Sequence, residues 1–228
     1  VTNFGLVIFD CDGVLVDSEE IGNRALAETL TACGLPTTTR QAVEACRGRI
    51  LADVIAIMEE RHGGPLPEGW IDDFEALRAL YFKEQLTEMP GVRELVVAAR
   101  EAGIDVAVGT QGKPEKVALT LALTGLDELF APDAVFTSYE VPRGKPHPDL
   151  YLRVAERRGH DPAACAVIED TAIGVAAGVA AGMSVYGLVG ETSREEIERA
   201  GGIPFSDFGE LLGPLLGSSP VEMRESER

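Results

Sequence analysis

Two carboxylates, Asp10 and Asp12, stand one residue apart directly after a short apolar run, Leu6 to Phe9, and before Gly13. The run has the length of a buried strand, and a glycine after it lets the chain turn sharply. Two like charges this close repel, so they call for a cation, a shared proton or a partner base nearby. Acids that cap a buried strand fit a ligand site, because open α/β sheets bind ligands beyond the carboxyl ends of their strands. An acidic surface turn is the plain alternative on this segment alone.

Three more polar clusters fall where apolar runs stop. They are Thr110-Gln111-Gly112 after Ile104–Val108, Arg143-Gly144-Lys145-Pro146-His147 beyond Ala134–Phe136, and Glu169-Asp170-Thr171 after Ala166–Ile168. In a parallel sheet these ends lie on one edge, so Asp10, Asp12, Thr110, Lys145, Glu169 and Asp170 can converge. Oxygen ligands without clustered nitrogen or sulphur select a hard cation, Mg²⁺ before Zn²⁺. Asp10 and Asp170 are the expected side-chain ligands. Lys145 offers a compact positive charge for a phosphoryl oxygen. Thr110 offers a hydroxyl, backed by main-chain N–H groups near Gly112 and Gly13. Four carboxylates against Mg²⁺ and Lys145 leave a negative balance, and a phosphate dianion would then favour protonation of one acid. Asp12 is the expected general acid.

The elements that must position these groups follow a clear rhythm. From Pro90 onward strand-like runs alternate with helical patterns at Val92–Ala102, Glu115–Thr124, Pro148–Arg158 and Ile173–Ala181, with a further strand at Val185–Leu188. That alternation predicts an α/β fold with a doubly wound parallel sheet. Residues 17–87 break the rhythm with helical patterns at Glu19–Cys33, Arg40–Cys46, Leu51–Arg61 and Trp70–Gln85, and predict an all-helical insertion. Residues 1–16 and 88–216 form the expected core, and the polar 217–228 a disordered tail. Gly174, Gly178 and Gly182 are expected to permit close helix–sheet packing, Cys11 to pack in the core, and Trp70 and Phe74 to serve a small core of the insertion.

Composition narrows the partners. The 228-residue chain carries 20 Lys and Arg against 38 Asp and Glu, a net charge of −18. Such a surface repels a phosphate backbone, which argues against nucleic-acid and anionic-membrane partners. The four cysteines match no zinc or redox spacing, as expected of a reducing cytoplasm. The charge-free stretch Ala172–Gly190 is too rich in Gly and Ala for a lipid-facing helix. The expectation is a monomeric cytoplasmic protein whose partner is a small phosphorylated substrate.

The four clusters, in this order, resemble the haloacid dehalogenase-like superfamily, and within it the β-phosphoglucomutase and small sugar-phosphate phosphatase branch. The resemblance runs to about Gly190. It implies a Rossmann-like core with a small helical cap. It implies Asp10 as the nucleophile that becomes an aspartyl phosphate, and Asp12 as the acid and then the base. It further implies Mg²⁺ held by Asp10, the Asp12 carbonyl and Asp170, with Glu169 beside it directly or through water. Thr110, Gln111 and Lys145 would bind phosphate, although Gln111-Gly112 departs from the serine-rich stretch of relatives. Arg47, Gly48 and Arg49 fall in the cap loop that selects substrate. The implied reaction is Mg²⁺-dependent hydrolysis of a sugar phosphate or sugar-acid phosphate such as 6-phosphogluconate. A mutase is the main rival, but Gly22 stands at the mutase histidine position and Leu51 near its phosphate-binding arginine. A phosphoacceptor signalling domain is disfavoured by the first-strand acids and the helical insertion. A catalytically dead binding protein is disfavoured because each motif position is filled.

Overall fold

The computed structural model describes residues 4–46 and 51–217, except the side chains of Leu51 and Ala52. Six parallel strands form one sheet: β1 (Leu6–Phe9), β2 (Asp105–Thr110), β3 (Val135–Thr137), β4 (Cys165–Glu169), β5 (Ser184–Leu188) and β6 (Ile203–Phe205), in the order β3-β2-β1-β4-β5-β6. The central strands read as continuous apolar runs because helices cover both faces of a parallel sheet; all of β1 and β4 is buried. Register pairs Phe9 with both Val108 and Ile168, so the residues that follow β1, β2 and β4 emerge side by side. Winding reverses between β1 and β4, and a crevice opens at such a switch point.

The helices are α1 (Glu19–Ala32), α2 (Thr39–Cys46), α3 (Leu51–His62), α4 (Trp70–Gln85), α5 (Val92–Glu101), α6 (Pro114–Thr124), α7 (Asp149–Arg158), α8 (Ala172–Ala180), α9 (Arg194–Arg199) and α10 (Leu212–Leu216). Buried apolar residues fall in two clusters. The larger surrounds the sheet, from Phe4 to Leu215. The smaller is built within α1–α4 and their connections, with Leu26, Leu30, Met58, Trp70 and Phe74 at its centre. Each fully buried side chain of this kind contributes about 1.5–3 kcal/mol, so the helical layer has an apolar core of its own. Two segments join the layers. They run antiparallel, with Asp17 N–H donating to the Thr87 carbonyl (3.0 Å) and Met89 N–H to that of Leu15 (3.0 Å).

Helix starts follow local chemistry. Pro114 opens α6, where its missing N–H costs nothing, and the Thr171 hydroxyl caps α8 by accepting from Gly174 N–H. The helix at 148–158 starts at Asp149, with Pro148 as its cap and His147 in the preceding turn. Strand β6 and helices α9 and α10 have no counterpart in the sequence-based expectation. The Gly/Ala-rich stretch splits into α8, a turn and β5, and no described helix is long and apolar enough to cross a membrane. The expected tail lies outside the described residues, apart from Gly217.

The three glycines expected to serve close packing do three different things. At Gly178 a side chain would press on Val185 and Val167, as expected. At Gly174 it would overlap the Glu169 carboxylate, so this glycine makes room for a polar group. Gly182 has open space around it and a φ of +78°, so it serves a turn.

Candidate active site

The strand ends deliver the expected residues to one crevice. Asp10 leaves β1 with its N–H donating to the Ile168 carbonyl (2.9 Å), which ties it to β4. The Lys145 ammonium donates to Asp10 (2.6 Å) and to Glu169 (2.5 Å), and it lies 5.1 Å from the Tyr151 ring centre. Glu169 is wholly buried. One of its oxygens accepts from Lys145 and the Tyr151 hydroxyl (2.7 Å). The other accepts from Asp170 N–H (3.0 Å), Thr171 N–H (3.1 Å) and the Thr171 hydroxyl (3.0 Å). A carboxylate has about four lone-pair sites, so Glu169 is saturated.

Asp170 differs sharply. Its Oδ1 is buried and has no hydrogen-bond partner. Oxygens of Asp10, Glu169 and Asp170 lie within 4.8 Å of one another. An oxygen-only set with one buried, unsatisfied carboxylate oxygen fits a hard divalent cation. Since Glu169 is saturated, Asp10 and Asp170 are the side chains that could hold it. Gly13 supports this arrangement. Its φ is +75°, and any side chain there would overlap the Asp170 carboxylate.

Protonation follows from burial and neighbours. Burial raises Asp10 to about 7, aided by Glu169 and Asp12 and opposed by Lys145. Burial, then Glu169 and Asp10, hold Asp170 well above the carboxylate range. Burial acts against ionised Glu169 too, but Lys145 and its hydrogen bonds outweigh it and the net shift is downward. Burial disfavours the Lys145 ammonium, yet Asp10 and Glu169 hold it well above its ordinary value.

Asp12 points to another set of partners. It accepts from the Ser18 hydroxyl and from Lys116, whose ammonium lies 5.7 Å from the Phe82 ring centre. Burial pushes Asp12 up, but Lys116 and Ser18 prevail and the net shift is down. The sequence-based charge balance omitted Lys116; with it, four carboxylates face two lysines. Lys116 and Ser18 keep Asp12 ionised in the unliganded protein; the charge balance expects its protonation only once a phosphate dianion is bound. Cys11 between the two acids is buried, with Sγ 3.8 Å from the Thr120 hydroxyl, and burial pushes its thiol up to about 12. It packs in the core, as expected.

Thr110 is buried, and its hydroxyl accepts from Gly112 N–H (3.1 Å). Gln111 lines the same cavity, its Oε1 buried and unpartnered. That cavity, about 260 Å³, lies between the sheet edge and the helical layer. It is below the roughly 300–1,000 Å³ typical of drug-sized ligands, a size for a small metabolite. Arg47, Gly48 and Arg49 lie outside the described residues.

Sequence reasoning missed Lys116 and Arg78, yet each left a signal. Lys116 occupies the first turn of α6, where the helix dipole disfavours a cation. Arg78 sits between Phe74 and Phe82 at four-residue spacing, which puts it on the buried face of α4. Its guanidinium lies 4.8 Å from the Phe74 ring centre and lines the cavity.

Known proteins are similar to this chain in sequence and fold. Residues 4–182 match the family described as haloacid dehalogenase-like hydrolase. Hexitol phosphatase B of Escherichia coli K12 is 30% identical over 178 residues, covering 77% of this chain and 79% of that protein. The 6-phosphogluconate phosphatase of the same strain is 28% identical over 181 residues, covering 79% and 80%. Among solved structures, a HAD family hydrolase from Deinococcus radiodurans R1 with bound phosphate and sodium superposes with a TM-score of 0.76. It is 31% identical, over 96% of this chain and 97% of that one. With the motifs in order, the sheet edge they share and a match across most of its length, the chain belongs to the haloacid dehalogenase-like hydrolases.

Proposed function

We propose that this protein is a phosphoric monoester hydrolase that cleaves a small phosphorylated sugar or sugar acid through an aspartyl phosphate on Asp10, with Mg²⁺. The observation that carries the reading is the pairing of Asp10 with Lys145 beside the unsatisfied oxygen of Asp170 at the sheet's switch point. The relatives' names, hexitol phosphatase and 6-phosphogluconate phosphatase, support the substrate class.

Asp10 attacks phosphorus, and the bond to the leaving oxygen breaks as Asp12 delivers a proton to it. Asp12 then takes a proton from water, which attacks the aspartyl phosphate, releases inorganic phosphate and restores Asp10. Lys145 and Thr110 hold the phosphoryl oxygens, and Lys145 offsets the negative charge that accumulates on them. Asp10, Asp170 and the Asp12 main-chain carbonyl would hold Mg²⁺, which would supply further charge neutralisation. Glu169 fixes Lys145 and the start of α8. In the free protein Asp12 is ionised against Lys116 and Ser18, the state its base step needs. The incoming phosphate dianion raises its proton affinity for the acid step. The helical layer acts as a cap that excludes water.

Hydrolysis is favoured over a mutase reaction because Gly22 lines the cavity and brings no titratable side chain. The test is phosphate release from a panel of phosphorylated sugars, polyols and sugar acids, with Mg²⁺ and with excess chelator. Turnover should require the metal. Glucose 1-phosphate with trace bisphosphate should yield free phosphate and little glucose 6-phosphate; efficient isomerisation would make the enzyme a mutase.

A further inference from the structure

Four cations line the cavity: Arg78, Lys113, Lys116 and Lys145. Lys145 pairs with Asp10 and Glu169, Lys116 with Asp12, and Lys113 with Glu75. Arg78 has no ion pair among the described residues, only the face of Phe74. Burial pulls its guanidinium below the ordinary value, while Glu75 and Asp12 favour the charge. An arginine stays charged at any physiological pH, so a half-buried one without a counter-ion is costly. That cost is removed if a ligand supplies the anion.

The location fits that role. Arg78 projects from α4 toward the Asp12 side of the crevice, past Gly22, where a Cβ would stand 3.9 Å from its Cδ. The acid Glu19 lines the same cavity and acts on Asp170 at the metal side. Charge is thus divided along the cavity, with carboxylates by Asp170 and, by Asp12, a cation that has no ion pair among the described residues. Asp12 serves the leaving oxygen in the proposed reaction, so the rest of the substrate extends past it toward Arg78.

We propose that Arg78 is the receptor for a second anionic group on the substrate, and that the enzyme prefers phosphorylated sugar acids or sugar bisphosphates over phosphorylated polyols. The proposal rests on the phosphatase reading above. A planar guanidinium holds a carboxylate or a phosphate through two parallel hydrogen bonds. The Phe74 ring, 4.8 Å from the guanidinium, supports it from one face.

The test is steady-state kinetics on three six-carbon substrates: 6-phosphogluconate, hexose 1,6-bisphosphate and a hexitol 6-phosphate. Wild type should show kcat/KM higher by about tenfold or more on the better of the two dianionic-tailed or carboxylate-tailed substrates than on the polyol, the effect of one charge-assisted hydrogen bond. Which anion is preferred tells carboxylate from phosphate. Arg78→Gln retains part of the stem over Phe74 and should erase most of that preference through KM, and Arg78→Lys should restore part of it. If wild type favours the polyol, or if Arg78→Gln lowers all three substrates by one common factor, the subsite assignment is wrong while the phosphatase reading stands. No phosphate release from any substrate overturns the phosphatase reading, and the subsite with it.

Discussion

At the sheet edge Asp10, Glu169 and Lys145 are buried and bonded to one another, whereas the helical layer turns Arg78 toward the same cavity with no ion pair among the described residues. The two regions line one cavity but are built differently. The sheet edge is held by main-chain register, by saturation of Glu169 and by glycines that leave no room for a side chain. It suits the part of the substrate that never varies, the phosphoryl group. The helical layer has its own apolar core and contributes long side chains from helix faces. It suits the part that differs between substrates.

Substitutions at the sheet edge should therefore abolish chemistry, and those in the helical layer should redistribute specificity. Asp10→Asn is the most severe. An amide is a poor nucleophile, so turnover should fall by about a thousandfold or more with the circular dichroism spectrum unchanged. Substantial residual turnover would remove Asp10 from its role. Asp170→Ala should shift the Mg²⁺ dependence of the rate to higher concentration; an unchanged metal titration would count against its ligand role.

The same edge predicts a pH effect in the metal-free protein. Asp10 has a pKa of about 7 when folded, against 3.8 for an unperturbed side chain. The folded state then holds the proton more tightly than the unfolded chain. Its stabilising contribution is complete below about pH 4 and is lost as pH rises through 7. In excess chelator, Tm of the wild type should fall relative to Asp10→Asn between pH 5 and pH 8, because an amide does not titrate. Parallel curves for the two proteins would show that Asp10 does not carry this linkage.

A pair of glycines contrasts a filled space with an open one. Gly174→Ala sets a methyl group against the Glu169 carboxylate and should cost about 1–3 kcal/mol in denaturant unfolding, with loss of activity. Gly182→Ala meets only the strain of a positive φ, roughly 1–2 kcal/mol, and should leave turnover intact. Equal losses of activity would mean that Gly174 has no special relation to the site.

This contrast also explains what the sequence discloses. The strand-end motifs are legible because an apolar run, a stop and a polar residue lie within a few positions of one another, and parallel register does the rest. The four helices of the insertion are legible from periodicity. The partner of Asp12 is not, since Lys116 stands 104 positions away and reaches it only through the fold. Arg78 is disguised as one more surface arginine on a helix; only the phenylalanines four residues on either side reveal its face. Strand β6 is hidden by Pro204 in a three-residue edge strand, where proline is tolerated because one side needs no hydrogen bond.

The smallest expected effect concerns the contact between the two regions. Glu75 of α4 pairs with Lys113, the residue before α6, so an ion pair ties the helical layer to the sheet layer beside the cavity. Both side chains are about one-third exposed, and such pairs contribute about 0.2–1 kcal/mol and weaken with salt. Glu75→Gln alone is ambiguous, because it frees a second cation near Arg78 and could raise affinity for an anionic tail while loosening the layers. The double variant Glu75→Gln/Lys113→Gln removes the pair and leaves net charge unchanged. It should raise KM by no more than about fivefold, and its KM should respond less to added salt than that of the wild type. A KM that keeps the wild-type value and salt dependence would show that the pair does not help hold the two layers together.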